Sequence, residues 1–257
     1  MKKIIILIPV FNDWESLIKL ISEINENVKD YKNISFDLMI VNDASTIKQP
    51  KLIKPSNINS IQIFNMKENR GHARCNAFGI RYVEKNKEFN NLILMDGDGE
   101  DRPVEIKNLI NESINKSNIS IVAKRIKRSE GPIFQILYQI HKIITYVFTG
   151  KYINFGNYSC LTKKDVEKLN SEASLWSSYS GTLKKIIPKL GKINSIRGKR
   201  YFGPSKMSLL KLLMHSFAII AVFKYQVFLR STFLIIILSY INMFLGNISI
   251  FFQILIV

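Results

Sequence analysis

The sequence predicts an α/β domain on a mainly parallel sheet, followed by helices that seat it on a membrane. Three observations carry that expectation. Apolar runs alternate with amphipathic stretches through the first half, polar residues gather where those runs end, and residues 231–257 carry no charge at all.

The apolar runs lie at 3–10 (KIIILIPV), 36–42 (FDLMIVN), 60–65 (SIQIFN), 91–95 (NLILM) and 119–123 (ISIVA). Helical patterns fall between them at 14–29, 71–85 and 103–116, the last opening at Pro103. Strands that are apolar throughout belong to a sheet covered on both faces. In such sheets ligands bind outside the carboxyl ends of the strands. Pro9 to Asn12, Asn42-Asp43 and Asp96 to Asp101 all fall there. The opening MKKIIILIPVF has too short an apolar run, and no small-residue cleavage site, for a leader; it reads as the first buried strand. Cys75 and Cys160 match no metal spacing and are expected to be reduced and structural.

Net charge is +17, and its distribution is uneven. The last acid is Glu172, and residues 173–230 hold eleven Lys/Arg. A one-sign region seeks a polyanion, either nucleic acid or an anionic membrane face. The uncharged tail decides for anionic lipid, because a nucleic-acid partner leaves the tail unexplained. A helix over 231–257 would be roughly 40 Å long at about 1.5 Å per residue, enough for a bilayer core of roughly 30 Å. A re-entrant segment is the alternative to a single pass. The basic flank places the preceding domain in the cytoplasm. Residues 132–149 and 205–230 read as interfacial or juxtamembrane helices, so the expected organisation is a catalytic domain at 1–204 that includes 132–149, a juxtamembrane helix at 205–230, and a membrane segment at 231–257.

LILMDGDGED, residues 92–101, poses the chemical question. Four acids in six residues, Asp96, Asp98, Glu100 and Asp101, crowd the end of a buried strand, so something positive is expected among them. Oxygen ligands spaced in this way suit Mg²⁺ or Mn²⁺. The plainer reading is an acidic turn before a helix, with Asp101 as its N-cap. His72, His141 and His215 fall on helical patterns without ligand spacing and are read as structural.

Four segments in order, IPVFND (8–13), VNDAS (41–45), NRGHARCNAFG (69–79) and DGDGEDRP (96–103), resemble family 2 glycosyltransferases of the GT-A fold. Two more, AKRIKRSEG (123–131) and RGKRYFGPSKMSLLKL (197–212), resemble the polyisoprenyl-phosphate glycosyltransferases, the dolichol-phosphate-mannose synthase and bactoprenol glucosyl transferase group. The resemblance implies an inverting enzyme that moves a sugar from a nucleotide-sugar donor to a polyisoprenyl phosphate with Mg²⁺ or Mn²⁺. Asp98 and Glu100 would hold the ion, and Asp96 would face the ribose or a metal-bound water. Pro9, Phe11, Asn12, Asp43, Asn69 and Gly71 would form the donor side. Arg125, Arg128 and Arg200 would serve the reacting phosphate, and Arg197, Ser205 and Lys206 would bind the acceptor, although Arg197 reads equally well as a lipid-facing charge. Asn42 departs from the family's acid pair, and GNYSCLTKKDV (156–166) departs from its acceptor segment. Two rivals follow: a saccharide acceptor, which would need a base among Asp165, Glu167 and Glu172, and a non-catalytic protein on a degenerate fold.

Overall fold

A computed structural model describes residues 1–127, 132–203 and 209–245. Contacts divide the chain into two units, Met1–Glu130 with Asn154–Met207, and Gly131–Ile153 with Ser208–Val257.

The first unit is the α/β domain. Its strands are β1 (Lys2–Val10), β2 (Ile34–Asn42), β3 (Ser60–Asn65), β4 (Asn91–Leu94), β5 (Ile121–Lys127), β6 (Phe155–Thr162) and β7 (Gly191–Ile196). They form one sheet in the order β3-β2-β1-β4-β6-β5-β7. All neighbours run parallel except β6, which is antiparallel to both β4 and β5. β1 alternates between two cores. Ile4, Ile6, Ile8 and Val10 pack with α1 (Trp14–Val28) and α3 (Ile106–Asn115). Leu7 instead meets α2 (His72–Asn86) at Gly79. α1 buries Leu17, Leu20, Ile21, Ile24 and Val28, the spacing of a single helical face.

The sequence-based strands over the first 127 residues are all present. β6 and β7, with α6 (Tyr179–Ile186), were not foreseen, and between them stands α5 (Lys163–Asn170). Their polar residues mask the period: β6 buries Ser159 and Thr162 among Tyr158, Cys160 and Leu161. β6 matters most for the site. Because Leu94 pairs with Ser159 and Asn91 with Thr162, the first residues of β6 lie at the carboxyl end of β4, beside the acid loop.

The second unit contains α4 (Pro132–Thr149), α7 (Leu209–Val222) and α8 (Lys224–Leu245). α4 packs against α7 and α8, so its partners are the C-terminal helices, whereas the sequence reading grouped it with the catalytic domain. The helix break falls at Phe223 rather than near residue 230, with Lys224 to Arg230 continuous with the apolar stretch. No Gly or Pro marks that break; it is seen in Phe223 N–H donating to the Ile220 carbonyl, a tightened last turn. Over Lys224–Asn242 α8 is long and apolar enough to cross a membrane, and none of that stretch is buried. Phe217, Phe228, Leu229, Phe233, Ile236 and Tyr240 are each more than 60% exposed.

Candidate active site

The acid loop follows from β4 reaching the sheet edge. Met95 is still buried, and the chain then turns tightly. Asp96 N–H donates to Asp101 Oδ2 at 3.0 Å, and Glu100 N–H donates to Asp98 Oδ1 at 3.0 Å. Asp101 therefore closes the loop from inside; the residue that precedes the short 3-10 helix Pro103–Glu105 is Arg102, so Asp101 is not its cap. Gly99 has φ +86°, in the left-handed region.

The positive groups expected among these acids are arginines from distant segments. Arg200 Nη1 lies 3.0 Å from Asp98 Oδ2, while its Nη2 pairs with Asp13 and its Nε donates to the Phe202 carbonyl. Arg197 pairs with Glu100. Arg125 lies 3.6 Å from Asp101, reached past an irregularity in the β5 register that turns the strand locally. Asp96 is held differently, accepting from Asn157 Nδ2 at 2.9 Å.

Residues 197–203 form a strap over the loop. Gly198 N–H donates to the Glu100 carbonyl at 2.8 Å and Tyr201 N–H to the Asp98 carbonyl at 3.0 Å. The Tyr201 ring covers Gly99 closely: a Cβ there would stand 2.4 Å from Cε2. Its hydroxyl donates to Glu23 at 2.7 Å, and Lys19 Nζ sits 4.5 Å from the ring centroid.

On the donor side the loops are stitched to one another. Asn12, at φ +49°, accepts from the N–H groups of Thr46 and Ile47, and its own N–H donates to Ser45 Oγ. The Pro9 carbonyl lies against Gly97. Asn42 bridges Asn65 and the Ser45 N–H, an internal tie at the departed position. Buried Asp43 accepts from the N–H groups of Arg70 and Gly71, both at 2.8 Å, and so fixes the start of α2. Asp43→Ala leaves both donors unpaired, and we expect it to cost about 1–3 kcal/mol in urea unfolding. Phe11 and Asn69 are exposed nearby.

Of the residues singled out from sequence, Asp96, Asp98, Glu100, Arg125, Arg197 and Arg200 meet in one cluster. Arg128, Ser205 and Lys206 lie outside the described residues. Asp13, Asn157 and Tyr201 were missed as site residues, although each stands inside a quoted segment. Tyr179 is buried against Ser159, and the Arg81 guanidinium lies over the Trp176 ring.

Three arginines do not relax the loop fully. Burial, then the Asp96 and Glu100 charges, push the Asp98 carboxyl up to about 6. Burial and Asp96 push Asp101 up to about 7 against the pull of Arg125. Unfolded, both ionise near the usual value of about 3.9. The folded chain thus holds the extra protons between roughly pH 4 and 7, and stability declines as pH rises through that window. Thermal melts are expected to show Asp101→Asn gaining on the wild type from pH 5 to pH 8; its amide oxygen can still accept from Asp96 N–H. A carboxylate loop short of positive charge fits a divalent cation, as do its hard oxygen donors. Among the described residues no three His, Cys, Asp or Glu side chains stand ready to hold one. A cation there would be held by one or two carboxylates, with water or a bound anion at its other positions.

Residues 5–191 match the family model described as glycosyl transferase family 2. The chain belongs to that family. Its mixed α/β fold is of the GT-A type. Among its relatives is the undecaprenyl-phosphate 4-deoxy-4-formamido-L-arabinose transferase of Photorhabdus laumondii, 25% identical over 220 residues, covering 82% of this chain and 65% of the relative. The transferase of the same name from Proteus mirabilis is 23% identical over 219 residues, covering 82% and 64%. The chain thus spans just under two thirds of the length of these relatives. Its fold is similar to that of Mycobacterium tuberculosis glucosyl-3-phosphoglycerate synthase, solved with Mn²⁺ and UDP-glucose, at TM-score 0.57 and 12% identity over 88% of this chain and 79% of the other.

Proposed function

We propose that this glycosyltransferase transfers a sugar from a nucleotide-sugar donor to a polyisoprenyl phosphate at a membrane, with inversion and with Mg²⁺ or Mn²⁺. The observation that carries the reading is the meeting of carboxylates and arginines at one sheet edge. Asp98 and Glu100 are the groups to hold the cation against the donor diphosphate. Bound there, a divalent ion offsets the charge that develops on the departing nucleoside diphosphate. Arg125, Arg197 and Arg200, with Arg128, Ser205 and Lys206, are the groups for the acceptor phosphate, since the guanidinium fork matches phosphate oxygens. Asp43 and Asn12 hold the turns beside which the nucleotide would lie.

A phosphate acceptor is already an anion and needs no strong base. This agrees with the placement of the carboxylates after residue 150. Asp165 and Glu167 lie on α5, which follows the far end of β6; Asp165 is buried and bound by Ser120, and Glu172 pairs with Lys185. A saccharide acceptor is the weaker reading on that ground. The relatives' names carry undecaprenyl phosphate, and the exposed apolar α8 suits a bilayer. The second unit is then the membrane anchor, with the exposed lysines of the basic 173–230 region on anionic lipid and the catalytic unit cytoplasmic.

The test supplies purified protein in detergent with Mn²⁺ or Mg²⁺, labelled nucleotide sugars and a polyprenyl phosphate. Label entering the butanol-extractable lipid is the expected result. Donor hydrolysis without labelled lipid would move the acceptor to another class, and neither donor binding nor transfer would favour a degenerate site.

A further inference from the structure

We propose that Arg200 and a divalent cation compete for Asp98, and that Asp13 is the positioning residue that keeps Arg200 at the site when Asp98 is given up. This rests on the metal-dependent reading above and adds a coupling between its two halves.

The geometry points to an exchange. Asp98 uses Oδ1 to accept from Glu100 N–H and Oδ2 to accept from Arg200 Nη1. Both side chains are largely buried, at 19% and 14% exposure, so a second cation on the same oxygen would meet the guanidinium with little water between them. Arg200 is not committed to Asp98 alone. Nη2 is held by Asp13, on the segment between β1 and α1, and Nε by the Phe202 carbonyl. Leaving Asp98 therefore costs Arg200 one of three partners and does not strand its charge. The guanidinium edge that faced Asp98 becomes available to an anion. Glu100 is answered by Arg197, and Asp96 and Asp101 are answered by Asn157 and Arg125. The remaining charges near Arg200 thus keep their own partners. A cation on the carboxylates and an anion on the arginines then favour each other, and the linkage is reciprocal.

The test measures Mn²⁺ alone on the full chain in detergent, from the electron paramagnetic resonance signal of the free ion, with no donor or acceptor. Arg200→Gln is expected to tighten Mn²⁺ by about fivefold or more, the lower end of typical couplings. Arg200→Lys keeps the charge but loses the rigid planar fork that presents separate edges to Asp98 and Asp13. It is expected to tighten Mn²⁺ too, which loss of charge cannot explain, and it serves if the glutamine variant fails to fold. Asp13→Asn leaves Arg200 leaning on Asp98 and should weaken Mn²⁺, yet have no effect once Arg200 is glutamine. Mn²⁺ affinity unchanged or weaker in both Arg200 variants overturns the exchange, as does an Asp13→Asn effect of equal size in both backgrounds, the mark of simple charge addition. If no variant and no wild type binds Mn²⁺, either alone or with a panel of nucleoside diphosphates added, the metal-dependent reading itself fails. If Mn²⁺ binds and Asp98→Asn removes it while the Arg200 variants change nothing, that reading stands and only the coupling falls.

Discussion

Asp98→Asn is expected to lower sugar transfer about a thousandfold, the scale of losing one charge-stabilising group at a reacting centre, while leaving the protein folded. The two halves of that expectation have separate causes. The amide keeps the shape of the carboxylate, and its oxygen can accept the Glu100 N–H bond that Oδ1 accepts now. Burial and the Asp96 and Glu100 charges already disfavour the ionised carboxylate, so its removal relieves crowding. On the proposed metal role, the amide offers the cation no charge, and the donor diphosphate would lose its counter-ion. Labelled-lipid assays with a thermal melt on the same sample check both halves. A variant with near-normal transfer would remove Asp98 from the metal role, and one that fails to fold would make it structural.

The second large effect is on stability. Gly99→Val should destabilise the protein by about 2–4 kcal/mol, the combined scale of a side chain forced into the left-handed region and of overpacking. Gly99 has φ +86°, and its Cβ would lie 2.4 Å from the Tyr201 ring. The ring cannot simply swing aside, because its hydroxyl is held by Glu23 and its backbone N–H by Asp98. In a Tyr201→Ala background the clash is gone and only the backbone strain remains, so the same valine should cost roughly half as much by that division. Urea unfolding of the four proteins measures the difference. Equal costs in both backgrounds would mean that the strap does not rest on Gly99.

Legibility differed by region for physical reasons. β1, β2 and β4 bury both faces and read directly as apolar runs; α1 shows its single face by spacing. β6 and β7 did not read as strands, because their partners tolerate serine, threonine and asparagine. Ser159 is buried yet satisfied by Tyr179, and Ser195 by Glu105. Such pairs let polar residues into a core without the apolar signature. The helix break at Phe223 had no local marker either.

For the site, the inventory was written in the residues alone: an acid loop at the end of a buried strand, a basic C-terminal half, and an uncharged final stretch. These follow from local composition and from the rule that loops at strand ends carry chemistry. Which charge answers which is set by the fold. Glu100 and Arg197 are 97 positions apart, Asp98 and Arg200 102, and Asp13 and Arg200 187. No spacing rule reaches that far, because such pairs are set by strand order. The antiparallel insertion of β6 and the strap that follows β7 bring the arginines onto the loop, and a chain read in one dimension does not contain that crossing.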